Sequence, residues 1–149
     1  MEKWRTLGEW YSSEEFESKY TYHEENLGAQ WTKEATTFRV FAPTAEVVVL
    51  NLYTGGKKGV DDLIEKLPME QIGNGVWMTT KAGNLNGTYY TFSVTVDGTE
   101  REACDPYAKT VGVNGERAMV IDLASTNPEG WEEDKNPNAE LKINDIVLY

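Results

Sequence analysis

The sequence predicts an all-β sandwich, and three observations lead to it. Short runs alternate apolar and polar side chains, most clearly in residues 89–98, YYTFSVTVDG, where Tyr90, Phe92, Val94 and Val96 alternate with Thr91, Ser93 and Thr95. A period of two sends the two sets to opposite faces of a sheet, and β-branched and aromatic residues suit a half-buried strand. The runs are punctuated by Asn74-Gly75, Asn86-Gly87, Asp97-Gly98 and Asn114-Gly115, pairs that adopt the positive φ values of tight turns. The chain also shows no fixed-period repeat and no low-complexity tract, so helix content should be small. Residues 89–96 are expected to form a central strand, with the rest folded around its apolar face.

In chain order, residues 1–20 read as a short helical arm rich in rings: Trp4, Trp10, Tyr11, Phe16 and Tyr20. Ser12 and Glu15 have capping-box spacing, which predicts a helix over about residues 13–19. So many large rings are expected to dock on the domain or on a neighbour. Residues 28–32 form a short strand, and residues 37–42, TFRVFA, a firmer one with Phe38 and Val40 on one face. Pro43 ends it. Residues 46–53, EVVVLNLY, are apolar on both faces, which predicts a central strand or one covered on its second side. TGGKKG, residues 54–59, is a loop, and residues 60–66 are compatible with a helical turn or a loop. Residues 67–72 read as an edge strand because of Pro68. Residues 76–80 and 99–103 follow as strands, the latter the hairpin partner of residues 89–96. Residues 118–123, AMVIDL, close the sandwich. From Ala124 the chain turns polar and proline-bearing, the composition of an extended linker, before NDIVLY at residues 144–149. The expected organisation is an arm (1–20), a sandwich (21–123), and a linker with one further strand (124–149).

Bulk properties narrow the function. The 149 residues suit one domain with a core that needs no staples. Cys104 is the single cysteine, so no internal disulfide framework exists. No apolar run approaches a membrane span, and MEKWRTLGEW has no h-region of a signal peptide. The net charge of −11, without a basic stripe, argues against nucleic acid as a partner.

Catalytic chemistry finds little support. The acidic residues cluster in charge-rich runs such as Glu14-Glu15, Asp61-Asp62 and Glu132-Glu133-Asp134, which read as solvated surface. His23 is the only histidine, too few for a His-rich zinc site, and no phosphate loop is present. No metal or cofactor is expected. The aromatic residues carry more information. A flat ring can hold the apolar face of a pyranose while hydroxyls find polar partners. For Phe38, Tyr90 and Phe92, core packing is the better reading. For Trp77 and Tyr53, core packing and sugar stacking are both open. Trp31 and Trp131 also suit contacts to a partner domain.

The ordered set TTFRVFAPTAEVVVLNLY, GNGVW, LNGTYYTFSVTVDG, DPYAKTVGVNGERAMVIDL and STNPEGW resembles the N-terminal part of bacterial type I pullulanases, over about residues 20–149. The resemblance implies an immunoglobulin-like sandwich of carbohydrate-binding module family 48, followed in such enzymes by a glycoside hydrolase family 13 barrel that cuts α-1,6 links in pullulan, starch and glycogen. A segment like NDIVLY begins that barrel, so the barrel's carboxylates are expected beyond this sequence, as is the motif YNWGYDP. By resemblance, this chain alone is expected to hydrolyse nothing.

Glycogen-binding relatives stack sugar on two tryptophans and add a lysine. The corresponding places here are the ring-free TGGKKG loop, Glu100 and Ser93. The resemblance thus leaves Trp77, Tyr53 and Lys57 as candidates for a different, weaker site, with Asn114 matching a polar sugar contact. Asp105, Pro106, Tyr107 and Trp131 are expected to meet the barrel. The expected function is a non-catalytic module of an α-1,6-glucan debranching enzyme that packs on the barrel and helps shape its cleft. The alternative is an autonomous starch- or glycogen-binding module using exposed rings.

Overall fold

The computed structural model describes residues 7–142 and 144. Two antiparallel sheets face each other. One has the order β1-β2-β6-β5, formed by Gly28–Trp31, Ala35–Phe41, Val76–Ala82 and Glu70–Gly73 for β1, β2, β6 and β5. The other has the order β4-β3-β7-β8, formed by Leu63–Pro68, Val47–Tyr53, Tyr89–Val96 and Thr99–Ala103 for β4, β3, β7 and β8. A short β9, Ala118–Met119, pairs with Tyr89 and Tyr90 at the start of β7. The few helices are short, and the architecture is that of an immunoglobulin-like sandwich.

The alternation read in the sequence becomes the core. Phe38 and Val40 of β2, Val48, Leu50 and Leu52 of β3, and Tyr90 and Phe92 of β7 are all buried in one cluster. The Phe38 and Tyr90 rings meet across the sheets edge-to-face, 5.0 Å between centroids, a favoured aromatic geometry. Both β3 and β7 are flanked by strands on each side, as their apolar patterns require. At the β7–β8 hairpin, Asp97 (φ 48°) and Gly98 (φ 69°) adopt the paired positive φ of a type I′ turn.

The structure departs from the sequence expectation at several element boundaries. Residues 67–72 are not one strand: β4 ends at Pro68 and β5 begins at Glu70 in the opposite sheet. Proline has no N–H to continue a ladder, and buried Met69 carries the chain across, its N–H donating to Val48 O. β4 itself begins at Leu63, within residues 60–66, whose sequence is compatible with a helical turn or a loop. The closing strand is only two residues long, although Val120 N–H still donates to Thr88 O. Asp122 then accepts from Ala124 N–H and starts a 3-10 turn, Leu123–Thr126.

The arm contains two helices, α1 (Leu7–Tyr11) and α2 (Glu14–Tyr20). The cap of α2 is Ser13 rather than Ser12: its Oγ accepts from Phe16 N–H, because Ser13 is the residue in extended conformation just before the helix. Trp10, Tyr11, Phe16 and Tyr20 stack on one another, with centroids 4.8 to 6.1 Å apart. The cluster meets the sandwich where Tyr11 Oη donates to Thr44 Oγ1 at 3.5 Å and Tyr20 lies against Gly75. Trp4, and all of NDIVLY except Asn144, lie outside the described residues.

Trp77, on β6 beside Val40, is 9% exposed and donates from Nε1 to Ala42 O. Trp77→Ala is expected to cost about 3–5 kcal/mol of folding free energy through the cavity it leaves, measured as a lowered urea midpoint.

Candidate functional site

The outward face of β3, β7 and β8 is polar yet largely covered. Cross-strand pairs bring Asn51 beside Thr91 and Ser93 beside Glu102. Asn51 Nδ2 donates to Thr91 Oγ1 at 3.2 Å and to Ser93 Oγ at 3.0 Å. Thr91 Oγ1 and Tyr53 Oη both donate to Glu102 Oε1, each at 2.6 Å. Such a face resists slipping in register, because any shift would strand buried polar atoms.

At one end of this face two loops are fastened together. Residues 54–62 follow β3 and residues 111–117 precede β9. Arg117, 3% exposed, joins them. Its guanidinium lies 3.6 Å from the centroid of the Tyr53 ring, a cation–π stack. Its Nη1 donates to Gly55 O at 2.6 Å and to Asp62 Oδ1 at 2.8 Å. Glu116 Oε2 accepts from Lys58 N–H, and Val113 N–H donates to Gly56 O. Gly56 and Gly112 touch backbone to backbone: a Cβ at Gly112 would lie 2.6 Å from Gly56 Cα. The outer rim that results presents Lys57 and Asn114, both exposed, with Asn114 held at φ 55°.

The carboxylates respond to this packing in opposite ways. Burial pulls Asp62 and Glu102 upward, but the partners prevail and both lie below the ordinary range. Arg117 and Gly55 N–H do this for Asp62; Thr91, Tyr53 and the nearby Lys58 do it for Glu102. Asp105, at the far end of β8, is 4% exposed, and burial raises its carboxyl despite hydrogen bonds from Tyr90 Oη and Tyr107 N–H.

The predicted site residues therefore divide. Lys57 and Asn114 share the fastened loop pair. Trp77 and Tyr53, for which core packing and sugar stacking are both open in the sequence, do not join them: Trp77 lies in the core, and Tyr53, 8% exposed, has one ring face under Arg117 and its hydroxyl on Glu102. Asp105 is buried, and its carboxylate accepts from Tyr90 and Tyr107 inside the fold. Pro106 is exposed, as are Tyr107 (43%) and Trp131 (55%). Sequence reasoning missed Arg117 and Asp62. The sequence signal that could have found Arg117 is a lone arginine between a turn and an apolar strand; its partners lie 55 and 62 residues away. No cluster of potential metal ligands and no helix able to cross a membrane occurs among the described residues.

Residues 26–108 match the family model of carbohydrate-binding module 48, the isoamylase N-terminal domain. The chain belongs to this family. The module is also 35% identical over 131 residues to a pullulanase of Klebsiella aerogenes, spanning 82% of this chain and 12% of that protein. It is 33% identical over 137 residues to the chloroplastic pullulanase 1 of Arabidopsis thaliana, spanning 83% of this chain and 13% of the relative. Among solved structures it resembles the pullulanase of Paenibacillus barengoltzii in complex with maltohexaose and α-cyclodextrin, at 42% identity and a TM-score of 0.78, over 85% of this chain and 19% of that one. The module thus spans about an eighth of the length of these curated relatives.

Two measurements probe the geometry of the module. Arg117→Met should lower the urea midpoint and raise amide hydrogen exchange in residues 54–62 and 111–117 before the rest of the fold is affected. The pH dependence should have two limbs. The raised Asp105 binds a proton more readily folded than unfolded, so its drag on stability eases as pH falls through its raised value. Asp62 and Glu102 stabilise fully above the ordinary carboxylate range, and that contribution is lost as pH falls through their depressed values. Urea midpoints measured against pH should show Asp105→Asn losing only the first limb.

Proposed function

We propose that this chain is a non-catalytic module of an α-glucan debranching enzyme of the pullulanase kind, which packs on a catalytic barrel and helps shape the entrance for substrate. The observation that carries the reading is the polar character of the outward face, whose Tyr53 ring is covered by Arg117. Ser93 is buried under Asn51, Glu100 is exposed, and the loop at 54–59 carries two lysines and no aromatic residue. These are the places where glycogen-binding modules resembling this one carry a lysine and two tryptophans. A surface of hydroxyls, amides and ammonium groups can grip the edges of sugars but lacks the stacking area from which such modules draw affinity. The Lys57–Asn114 rim would then contribute to glucan contact alongside other parts of a larger enzyme. Exposed Tyr107 and Trp131 have the size and polarity of interface anchors.

The autonomous-module alternative needs a ring platform; Trp77 lies in the core between the sheets and Tyr53, on the outward face, is under Arg117, which favours the first reading. Calorimetry of the chain with glycogen, maltooligosaccharides or β-cyclodextrin should detect no association tighter than about 0.1 mM, roughly −5.5 kcal/mol; micromolar affinity would sink the reading. A reducing-sugar assay on pullulan should show no release by the purified chain, and turnover there would place the chemistry within it.

A further inference from the structure

A cleft lies on the opposite face of the same sheet. The pairs Val94–Arg101 and Val96–Thr99 put Arg101 and Thr99 on the face that carries Tyr90 and Phe92, away from Asn51 and Ser93. Toward the hairpin this face passes out of the core, and Val96 is exposed. The arm crosses it here. Tyr11 and Thr44 form one wall of a groove of about 460 Å³, and Asp97, Thr99 and Arg101 form the other. A hollow of about 280 Å³, lined by Trp10, Tyr20 and Pro43, shares Tyr11, Thr44, Val96 and Asp97 with the groove and continues it. Together they have the size of a ligand site.

The chemistry of the walls selects the ligand. Tyr11 is 42% exposed and offers ring surface. The Asp97 carboxylate and the Arg101 guanidinium both border the groove, and neither has a hydrogen bond or ion pair among the described residues. An anion would be drawn to Arg101 but repelled by Asp97 and by the net charge of −11. A cation would meet the reverse conflict at Arg101. A purely apolar ligand would strand both charges without water. A neutral polyhydroxylated ligand suffers none of these penalties: its hydroxyls donate to the carboxylate and accept from the guanidinium, and its apolar ring face covers tyrosine.

We infer that this cleft holds a segment of an α-1,4-glucan chain, with one glucose ring stacked on Tyr11 and its hydroxyls shared between Asp97 and Arg101. The inference rests on the α-glucan reading above and adds a place to it, on the face opposite the Lys57–Asn114 rim. Because α1 and α2 supply one wall, the arm is part of the binding surface.

The test is nuclear magnetic resonance of the 15N-labelled 149-residue chain titrated with maltohexaose to about 10 mM, the range in which a weak site of this size fills. Amide shifts are expected at Thr44 and at residues 97–101. Tyr11→Ala and Arg101→Ala should each weaken that binding by about tenfold, with the remaining spectrum unchanged as the check on folding. Arg101→Ala leaves the arm intact, so it decides the matter if the Tyr11 variant loosens the arm. Shifts confined to residues 56–58 and 112–116 would overturn the cleft while leaving the α-glucan reading in place. No shifts anywhere, or shifts at 97–101 that both variants leave untouched, would also overturn it. The calorimetric measurement judges the module by affinity and this one judges the cleft by location, so the two can fail separately.

Discussion

Tyr90 makes the contact on which most of this structure depends. Its ring joins the two sheets through Phe38 and lies 5.7 Å from Phe92. Its hydroxyl donates to the buried Asp105 carboxylate at 2.7 Å. One side chain thus supplies apolar cement to the core and a polar anchor to the segment leaving β8. Asp105 in turn accepts from Tyr107 N–H, and this turn packs closely on Gly28, where a Cβ would lie 2.9 Å from Tyr107 O. The start of β1 and the chain after β8 are therefore held in one place by one hydroxyl. The Tyr90 phenol is correspondingly held far above its ordinary value, first by burial and then by the Asp105 charge.

Arg117 plays the matching part at the loop end. A guanidinium can stack flat on a ring while its edge donates to a carbonyl and a carboxylate. Here it does all three, to Tyr53, Gly55 and Asp62. The polar ladder of Asn51, Thr91 and Ser93 runs from this corner along the outward face. A sheet face of this kind keeps its register through polar contacts without being apolar.

The parts legible in the sequence were those governed by local periodicity. The alternation in β2, β3 and β7 named the core, and Asp97-Gly98 and Asn74-Gly75 marked real turns with positive φ. What escaped depended on distant partners. Pro68 reads as an edge signal within one strand, but the chain switches sheets at Met69, whose side chain is buried. Trp77 and Tyr53 are chemically able to stack on sugar, and only tertiary packing decides that one serves the core and the other serves Arg117. Asp105 drew attention through the DPYAKT motif, yet its role is internal. The polar network had no sequence signature at all, because Asn51 and Ser93 are 42 residues apart.

The close approach of Gly56 and Gly112 has an evolutionary corollary. With no side chain between them, the two loops have no slack to absorb a change in either one. A Cβ at Gly56 would also lie 2.6 Å from the Tyr89 ring. A tryptophan therefore has no room at either glycine. A lineage or an engineer wishing to give this corner a stacking ring must use the open positions of Lys57 or Lys58, or lengthen both loops together. Diversification at this end of the molecule is thus a paired affair, in which the sequence tolerated on one strand connection depends on what the other has already become.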